Sequence, residues 1–361
     1  MKTIKFSMVI TAAALFVLGL STAAVAFHDD GVARCAGCHT MHNSQDGEPV
    51  TDTPGSHLLK MSDPSSTCLD CHAGYGQMTE DGSGYGSGGD FYWLTKTFSW
   101  SAHGHTSEST GDSHGHNIIA ADYSLELPDS VLSTAPGGSF DSSELACSSC
   151  HDPHGTGEGA LLLWGSDKSN FSADAPILKG LSRRTIGVPG TGGSVSDDNH
   201  VAYGSGVSAW CANCHGDFLS GDEMHPVNEN LGSTMAAHYN DYVSTSDPNG
   251  GDAATSYWEI VPFETGLPVD QLENDSTAGP TSSDQVMCLS CHRAHATAFP
   301  DSGKWDFSAT FITEDSHPQA GDIGASGDDV ANKYYGRVFD DGDGSESQMQ
   351  RSLCNKCHGQ D

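Results

Sequence analysis

The chain has 361 residues, of which 48 are acidic and 15 basic, a formal net charge of −33 at pH 7. A surface so acidic repels nucleic acid and anionic membrane, which excludes both as binding partners. Apolar residues make up 36% of the chain against 43 glycines, too little for a large core built only from helices and sheets.

In chain order, the first element is a leader. Lys2 and Lys5 give a basic start, 8–20 is almost unbroken apolar, and Ala24-Val25-Ala26 supplies small residues for cleavage. This predicts a signal peptide over 1–26, cut between Ala26 and Phe27. The apolar run is shorter than the ~20 residues of a membrane span. The remainder, 27–361, is therefore expected to be exported as one domain, without membrane insertion.

Twelve cysteines in an exported chain would ordinarily mean six disulfides. The spacing rejects that pairing, because every cysteine belongs to one pattern, Cys-x-x-Cys-His. The copies are CAGCH (35–39), CLDCH (68–72), CSSCH (147–151), CANCH (211–215), CLSCH (288–292) and CNKCH (354–358). The pattern is that of c-type haem attachment. Its two thiols add to the two vinyl groups of one haem, and the adjacent histidine lies beneath the macrocycle to bind iron. The thiol pairs are Cys35 and Cys38, Cys68 and Cys71, Cys147 and Cys150, Cys211 and Cys214, Cys288 and Cys291, and Cys354 and Cys357. The proximal ligands are His39, His72, His151, His215, His292 and His358. Zinc sites also use paired Cys-x-x-Cys elements, but they do not demand histidine next in every copy. A thioredoxin-like dithiol would occur once, in a βαβ context. The sequence thus predicts six covalently bound haems c.

Between motifs, segments such as 82–89 and 187–196 show neither helical nor strand periodicity. Helices are expected to be short, at the motifs themselves and near 234–242 and 328–335. The expected fold is mostly irregular coil with short α-helices and very little β, wrapped around a chain of stacked haems that form most of the core. Long loops are tolerable because covalent attachment cuts conformational freedom as a cross-link would. Tyr92, Trp93, Trp100, Trp210 and Tyr239 are expected to pack on porphyrin faces. The acidic run 340–346 resembles part of a calcium loop, but its spacing and glycine position fit poorly.

Nineteen histidines less the six proximal ones leave thirteen, enough to give every iron a second ligand. Three recur at one spacing: CHTMH gives His42, CHDPH gives His154 and CHRAH gives His295. Residues three apart on one turn point to the same side, so each of these must serve a haem other than its neighbour's. Methionine ligation would raise the potential, but Met61, Met78, Met224, Met235, Met287 and Met349 are read as packing residues.

The segments FHDDGVARCAGCHTMHNS, GGDFYWLTKTFSW, GHNIIAADY, PGGSFDSSELACSSCHDPHG, VAYGSGVSAWCANCH, CLSCHRAHA, YYGR and CNKCH together resemble the OmcS-like hexahaem outer-surface cytochromes of metal-reducing bacteria. Departures lie in the acidic balance, a shortened stretch between 155 and 201, and 301–328. The resemblance implies distal ligands at the histidines of matching segments: His28, His42, His116, His154, His225 and His295. His57, His103, His105, His114, His200, His238 and His317 are then read as surface residues. It further implies protomers that polymerise head to tail into conductive filaments. In them His42 completes the fifth-motif haem of a neighbouring protomer, whose proximal ligand is His292.

The function expected is extracellular electron transfer through six bis-histidine haems, not enzymatic catalysis. The route is through the periplasm to the outer cell surface, and the acceptors are other cytochromes or minerals. Two rivals remain at this point. A multihaem reductase would need one haem with an open face and acid/base groups beside it. A monomeric periplasmic shuttle would need no ligand from a partner.

Overall fold

The Cys-x-x-Cys-His motifs set the local structure. The computed structural model describes residues 34–45, 48–49, 58–73, 85–102, 104–125, 129–154, 160–181, 194–220, 227–244, 247–309, 311–312, 314–337, 339 and 353–359. The expected leader, His28, His57, His103, His225 and the acidic run 340–346 lie outside the described residues.

Five motifs close a single turn in the same way. The histidine N–H donates to the carbonyl of the first cysteine: His39 to Cys35 at 2.8 Å, His151 to Cys147 at 3.0 Å, His215 to Cys211 at 3.0 Å, His292 to Cys288 at 3.1 Å and His358 to Cys354 at 3.0 Å. One helical turn carries both thiols and the imidazole to one side. The turns are α1 (Arg34–Cys38), α3 (Cys147–Cys150), α4 (Val207–Cys211) and 3-10 turns at Cys288–Ser290 and Cys354–Lys356. The second motif sits in a longer helix, α2 (Pro64–His72). Proline occupies its first position, and the Asp63 carboxylate caps it by accepting from Ser66 N at 2.8 Å.

The two other helices fall where periodicity placed them. Helix α5 spans Gly232–Asp241 and α6 spans Gly327–Asn332. A capping box starts α6, with Ser326 Oγ accepting from Asp329 N and Asp329 accepting from Ser326 N. Strands among the described residues form three two-stranded antiparallel sheets: β1 (Ser44–Gln45) with β2 (Glu48–Pro49), β3 (Phe98–Ala102) with β4 (His105–Ser109), and β5 (Ile177–Lys179) with β6 (Ala202–Ser205). The rest of the described residues is coil and short 3-10 turns such as Phe91–Thr95 and Gly216–Leu219. No described helix is long and apolar enough to cross a membrane.

The polypeptide nevertheless builds a core of its own, which corrects two expectations. Trp93 and Tyr239, expected on porphyrin faces, are 0% and 1% exposed within a cluster that includes Phe98, Ile260, Phe299 and Ile312. Tyr239 Oη donates to Val261 O at 2.7 Å, which satisfies its polar end inside that cluster. His114 and His200, expected at the surface, are also buried. His114 Nδ1 donates to Trp93 O at 2.9 Å while Nε2 accepts from Ser109 Oγ at 2.7 Å. His200 donates to Asp197 O at 2.9 Å and stacks on Tyr257 at 4.0 Å. Both are satisfied core histidines. His105 and His238 are exposed, and His317 is half-buried against Trp100.

Candidate functional site

The motifs are neighbours in space in the order in which they occur in the chain. Cys38 of the first lies within electrostatic reach of Cys68 of the second. The Cys68 thiol donates to Cys147 of the third, whose N–H donates to Ser65 Oγ at 3.2 Å. Cys150 feels Cys214 of the fourth, and Cys211 donates to Cys288 of the fifth. Cys291 feels Cys357 and Cys354 of the sixth. No two of the twelve are joined as a disulfide. In the two bonded pairs the hydrogen bond pushes the donor thiol up and the acceptor down.

Three facing pairs each join a motif histidine to a histidine outside that motif. His39 and His154 have ring centroids 6.3 Å apart, with planes 21° from parallel. His151 and His295 lie at 6.2 Å and 60°, and His116 and His215 at 5.9 Å and 55°. An imidazole nitrogen sits about 2.0 Å from a first-row metal ion, so two rings on opposite sides of one metal have centroids about 6 Å apart. The observed spacings match that geometry.

Hydrogen bonds fix which nitrogen faces inward. Nδ1 donates to a backbone carbonyl in His116 (Ala294 O, 2.7 Å), His151 (Leu161 O, 2.9 Å), His215 (Pro136 O, 2.7 Å) and His292 (Asp301 O, 2.7 Å). His295 Nδ1 approaches Gly89 O at 3.4 Å. Each ring therefore carries its proton on Nδ1 and leaves Nε2 unprotonated, the arrangement a metal-binding histidine needs. Burial, and then the neighbouring His151, pushes His295 down to about 3, and burial with His215 lowers His116. Neutral imidazole is the coordinating form.

The surroundings suit a porphyrin as well as its iron. Arg293, between His292 and His295, is 3% exposed; its Nη1 donates to Ser87 O at 2.7 Å and pairs with Glu259 at 3.4 Å. Its Nε–H is buried with no acceptor. A buried donor left unpaired is costly, and a porphyrin carboxylate is an acceptor of matching chemistry. Burial alone would raise the Glu259 carboxyl, but Arg293, Lys304 and Arg337 overcome it and hold it below its ordinary value.

The remaining predicted residues are not brought into facing pairs among the described residues. His42 is exposed and makes no ring contact there, beside Met41 at 77% exposure. His292 has one ring neighbour among the described residues, Phe307 at 5.4 Å. His72 and His358 have further partners of their own, while the positions of His28 and His225 are not described. Sequence reasoning missed the carbonyls that orient the rings, which no spacing could reveal.

Repeated thiol pairs with adjoining histidines, along a mostly coiled chain whose imidazoles face one another, define a multihaem c-type cytochrome. No family model matches the chain. It is 34% identical, over an alignment of 449 residues spanning 100% of both chains, to the C-type cytochrome OmcS of Geobacter sulfurreducens. The cryo-EM structure of the OmcS nanowires from that organism matches with a TM-score of 0.72 and 30% identity, over 93% of this chain and 100% of that one. A second structure, of the outer membrane cytochrome S filament, matches with a TM-score of 0.69 over the same shares. The chain belongs to the OmcS family of c-type cytochromes.

Proposed function

We propose that this chain is an extracellular electron-transfer cytochrome whose protomers polymerise head to tail into a conductive filament. The single observation that carries the reading is the set of facing imidazole pairs at one-metal spacing, strung between motifs that adjoin in chain order. Six haems c are held by the twelve motif cysteines, with His39, His72, His151, His215, His292 and His358 as proximal ligands. The distal ligands are His28, His42, His116, His154, His225 and His295. Bound haem supplies one-electron chemistry at its iron. Two imidazoles close that iron to substrate, so the polypeptide serves a conduit rather than an enzyme.

The pairing has a direction that supports the intermolecular ligand. The trailing histidine of the third motif, His154, faces the proximal histidine of the first, and His295 of the fifth faces His151 of the third. Each reaches back by two motifs. In a line of six-motif protomers, the same step from His42 of the first motif arrives at the fifth motif of the preceding protomer. There His292 has no facing imidazole among the described residues. An exposed ligand at one end and an incomplete site near the other make a heterologous contact, the kind that propagates into open filaments. The unit is 27–361, exported after loss of the leader 1–26, and its acceptors are other cytochromes or minerals. Negative-stain microscopy of the secreted protein tests this: filaments are expected. Dispersed particles in which all six haems are low-spin would make it a soluble shuttle instead.

A further inference from the structure

Ser65 and Ser208 occupy the same place in two motifs. Each lies three residues before a first cysteine, Ser65 before Cys68 of the second motif and Ser208 before Cys211 of the fourth. No other motif has serine there; the position holds Val32, Glu144, Gln285 and Arg351. Both serines are 0% exposed, and each reaches forward to the following motif. Ser65 Oγ accepts from Cys147 N at 3.2 Å, and Ser208 Oγ accepts from Cys288 N at 3.2 Å. The N–H groups of a first turn have no partner inside it. Those of Cys147 and Cys288, each the first residue of its turn, are satisfied from the preceding motif.

The receiving turns also match. Serine precedes the second cysteine only in the third and fifth motifs, as Ser149 and Ser290. Ser149 Oγ accepts from Ala146 N at 3.0 Å and donates to Glu144 O at 3.0 Å. Ser290 Oγ accepts from Met287 N at 3.2 Å and donates to Pro262 O at 2.6 Å. Helix α2 packs on α3, and α4 packs on the turn Cys288–Ser290. In both places the first sulfurs of the two motifs meet, Cys68 with Cys147 and Cys211 with Cys288. One set of contacts therefore occurs twice.

We propose that Ser65 and Ser208 are positioning residues for electron transfer: each fixes the first cysteine of the following motif against that of its own, and so sets the gap between the second and third haems and between the fourth and fifth. The inference rests on the proposed haem attachment. A thioether leaves the cysteine sulfur at the porphyrin edge, so holding two such sulfurs together holds two porphyrin edges together. Tunnelling between haems falls steeply as that gap widens.

The test uses the hexahaem protein, Ser65→Ala, Ser208→Ala and a control, Ser66→Ala. Ser66 is also 0% exposed in α2, but its hydroxyl donates to Asp63 at 2.6 Å and accepts from Asp122 N at 3.2 Å. Mass spectrometry counts haems first, and a wild-type count below six would overturn the functional reading and this inference together. Power-saturation electron paramagnetic resonance of the oxidised protein then reads how strongly neighbouring ferric irons relax one another. Ser65→Ala and Ser208→Ala should each keep six haems and weaken that relaxation at one haem pair, with a fall in filament conductance. Ser66→Ala should lose stability and keep the wild-type relaxation. Wild-type relaxation in both Ser65→Ala and Ser208→Ala, with six haems present, would overturn this inference alone. So would an equal loss in Ser66→Ala, which would mark a general loosening of the fold. Loss of a haem from both Ser65→Ala and Ser208→Ala would assign the serines to attachment and overturn it too.

Discussion

The imidazole of His154 faces that of His39 at 6.3 Å, with the two planes 21° apart. One residue trails the third motif and the other belongs to the first, so the pair ties together parts of the chain that the intervening coil would leave independent. His295 does the same for the third motif, facing His151 at 6.2 Å. Acting as the distal ligands proposed for them, His154 and His295 would link alternate motifs and tie the intervening coil together.

Removing one such tie should be felt at one haem. His154→Ala should leave all six haems attached, because every thiol pair and proximal histidine remains, and should convert only the first-motif haem to a five-coordinate, high-spin form. His295→Ala should do the same to the third-motif haem. The lost iron bond closes a long loop, so stability should fall by about 2–4 kcal/mol, the size of a long-loop cross-link. Magnetic circular dichroism counts the high-spin sites; two or more in either variant would contradict one-to-one pairing.

The motif turns were legible in the sequence because one Cys-x-x-Cys-His spacing recurs along it. Cys35, Cys38 and His39 must share a turn, and the turn repeats with the motif. The fold class and the helices α5 and α6 followed from composition and periodicity. The pairing of His116 with His215 was not legible, since it depends on how the coil returns and leaves no mark at any fixed interval. His114 and His200 were misread because a histidine in a loop looks exposed until its neighbours are known. In the structure, Trp93, Ser109, Asp197 and Tyr257 satisfy them inside the core. Trp93 and Tyr239 were assigned to porphyrin faces for a related reason: composition alone does not show how much of its own core the polypeptide can assemble.

Asp63 holds the second motif in place from outside it. Its carboxylate caps α2 at Ser66 N and also accepts from Ala121 N at 2.8 Å, joining the helix to a distant turn. Asp63→Ala should cost about 1–2 kcal/mol, with the cap and the lost tie both contributing. Asp63→Asn, which keeps one acceptor, should recover part of it. Chemical denaturation of the two variants measures the difference.

Acid should weaken the fold through His200. Burial lowers its pKa, so the native state prefers the neutral ring while the unfolded chain takes up a proton as pH falls through about 6.5. Its contribution is therefore whole above that value and is lost progressively as pH drops toward the depressed native pKa. His200→Phe keeps a ring to stack on Tyr257 and removes the titration. Its unfolding midpoint should lie below wild type at neutral pH by an amount that shrinks on acidification. A constant gap between about pH 8 and pH 5 would show that His200 does not carry the linkage.

Protomers of 27–361 carry a formal charge of −35, the −33 of the full chain less Lys2 and Lys5, and must repel one another as they associate. Salt shortens the reach of that repulsion from roughly 30 Å at 0.01 M to roughly 3 Å at 1 M. Filament length near neutral pH should therefore increase with ionic strength, more steeply with divalent cations. Light scattering across a salt series tests this, and lengths independent of salt would place the acidic residues away from the contact.

The intermolecular contact is tested most directly at His42. The ring is exposed and lies in the bend that follows α1, three residues beyond His39, and the His39 imidazole is already faced by His154. His42→Ala should retain six covalent haems and a wild-type unfolding midpoint, because the side chain makes no ring contact or hydrogen bond among the described residues. One haem per protomer, that of the fifth motif, should become high-spin, and filaments should shorten or fail to form. This outcome differs from that of His154→Ala, where the altered haem and the lost stability both belong to the protomer that carries the substitution. Mixing His42→Ala protein with His292→Ala protein gives a further check. The first variant still offers an intact fifth-motif site, and the second still carries His42, so the two should join as pairs that do not grow. Normal filaments of the His42→Ala protein with six low-spin haems would show that the fifth-motif iron finds its second ligand within its own chain.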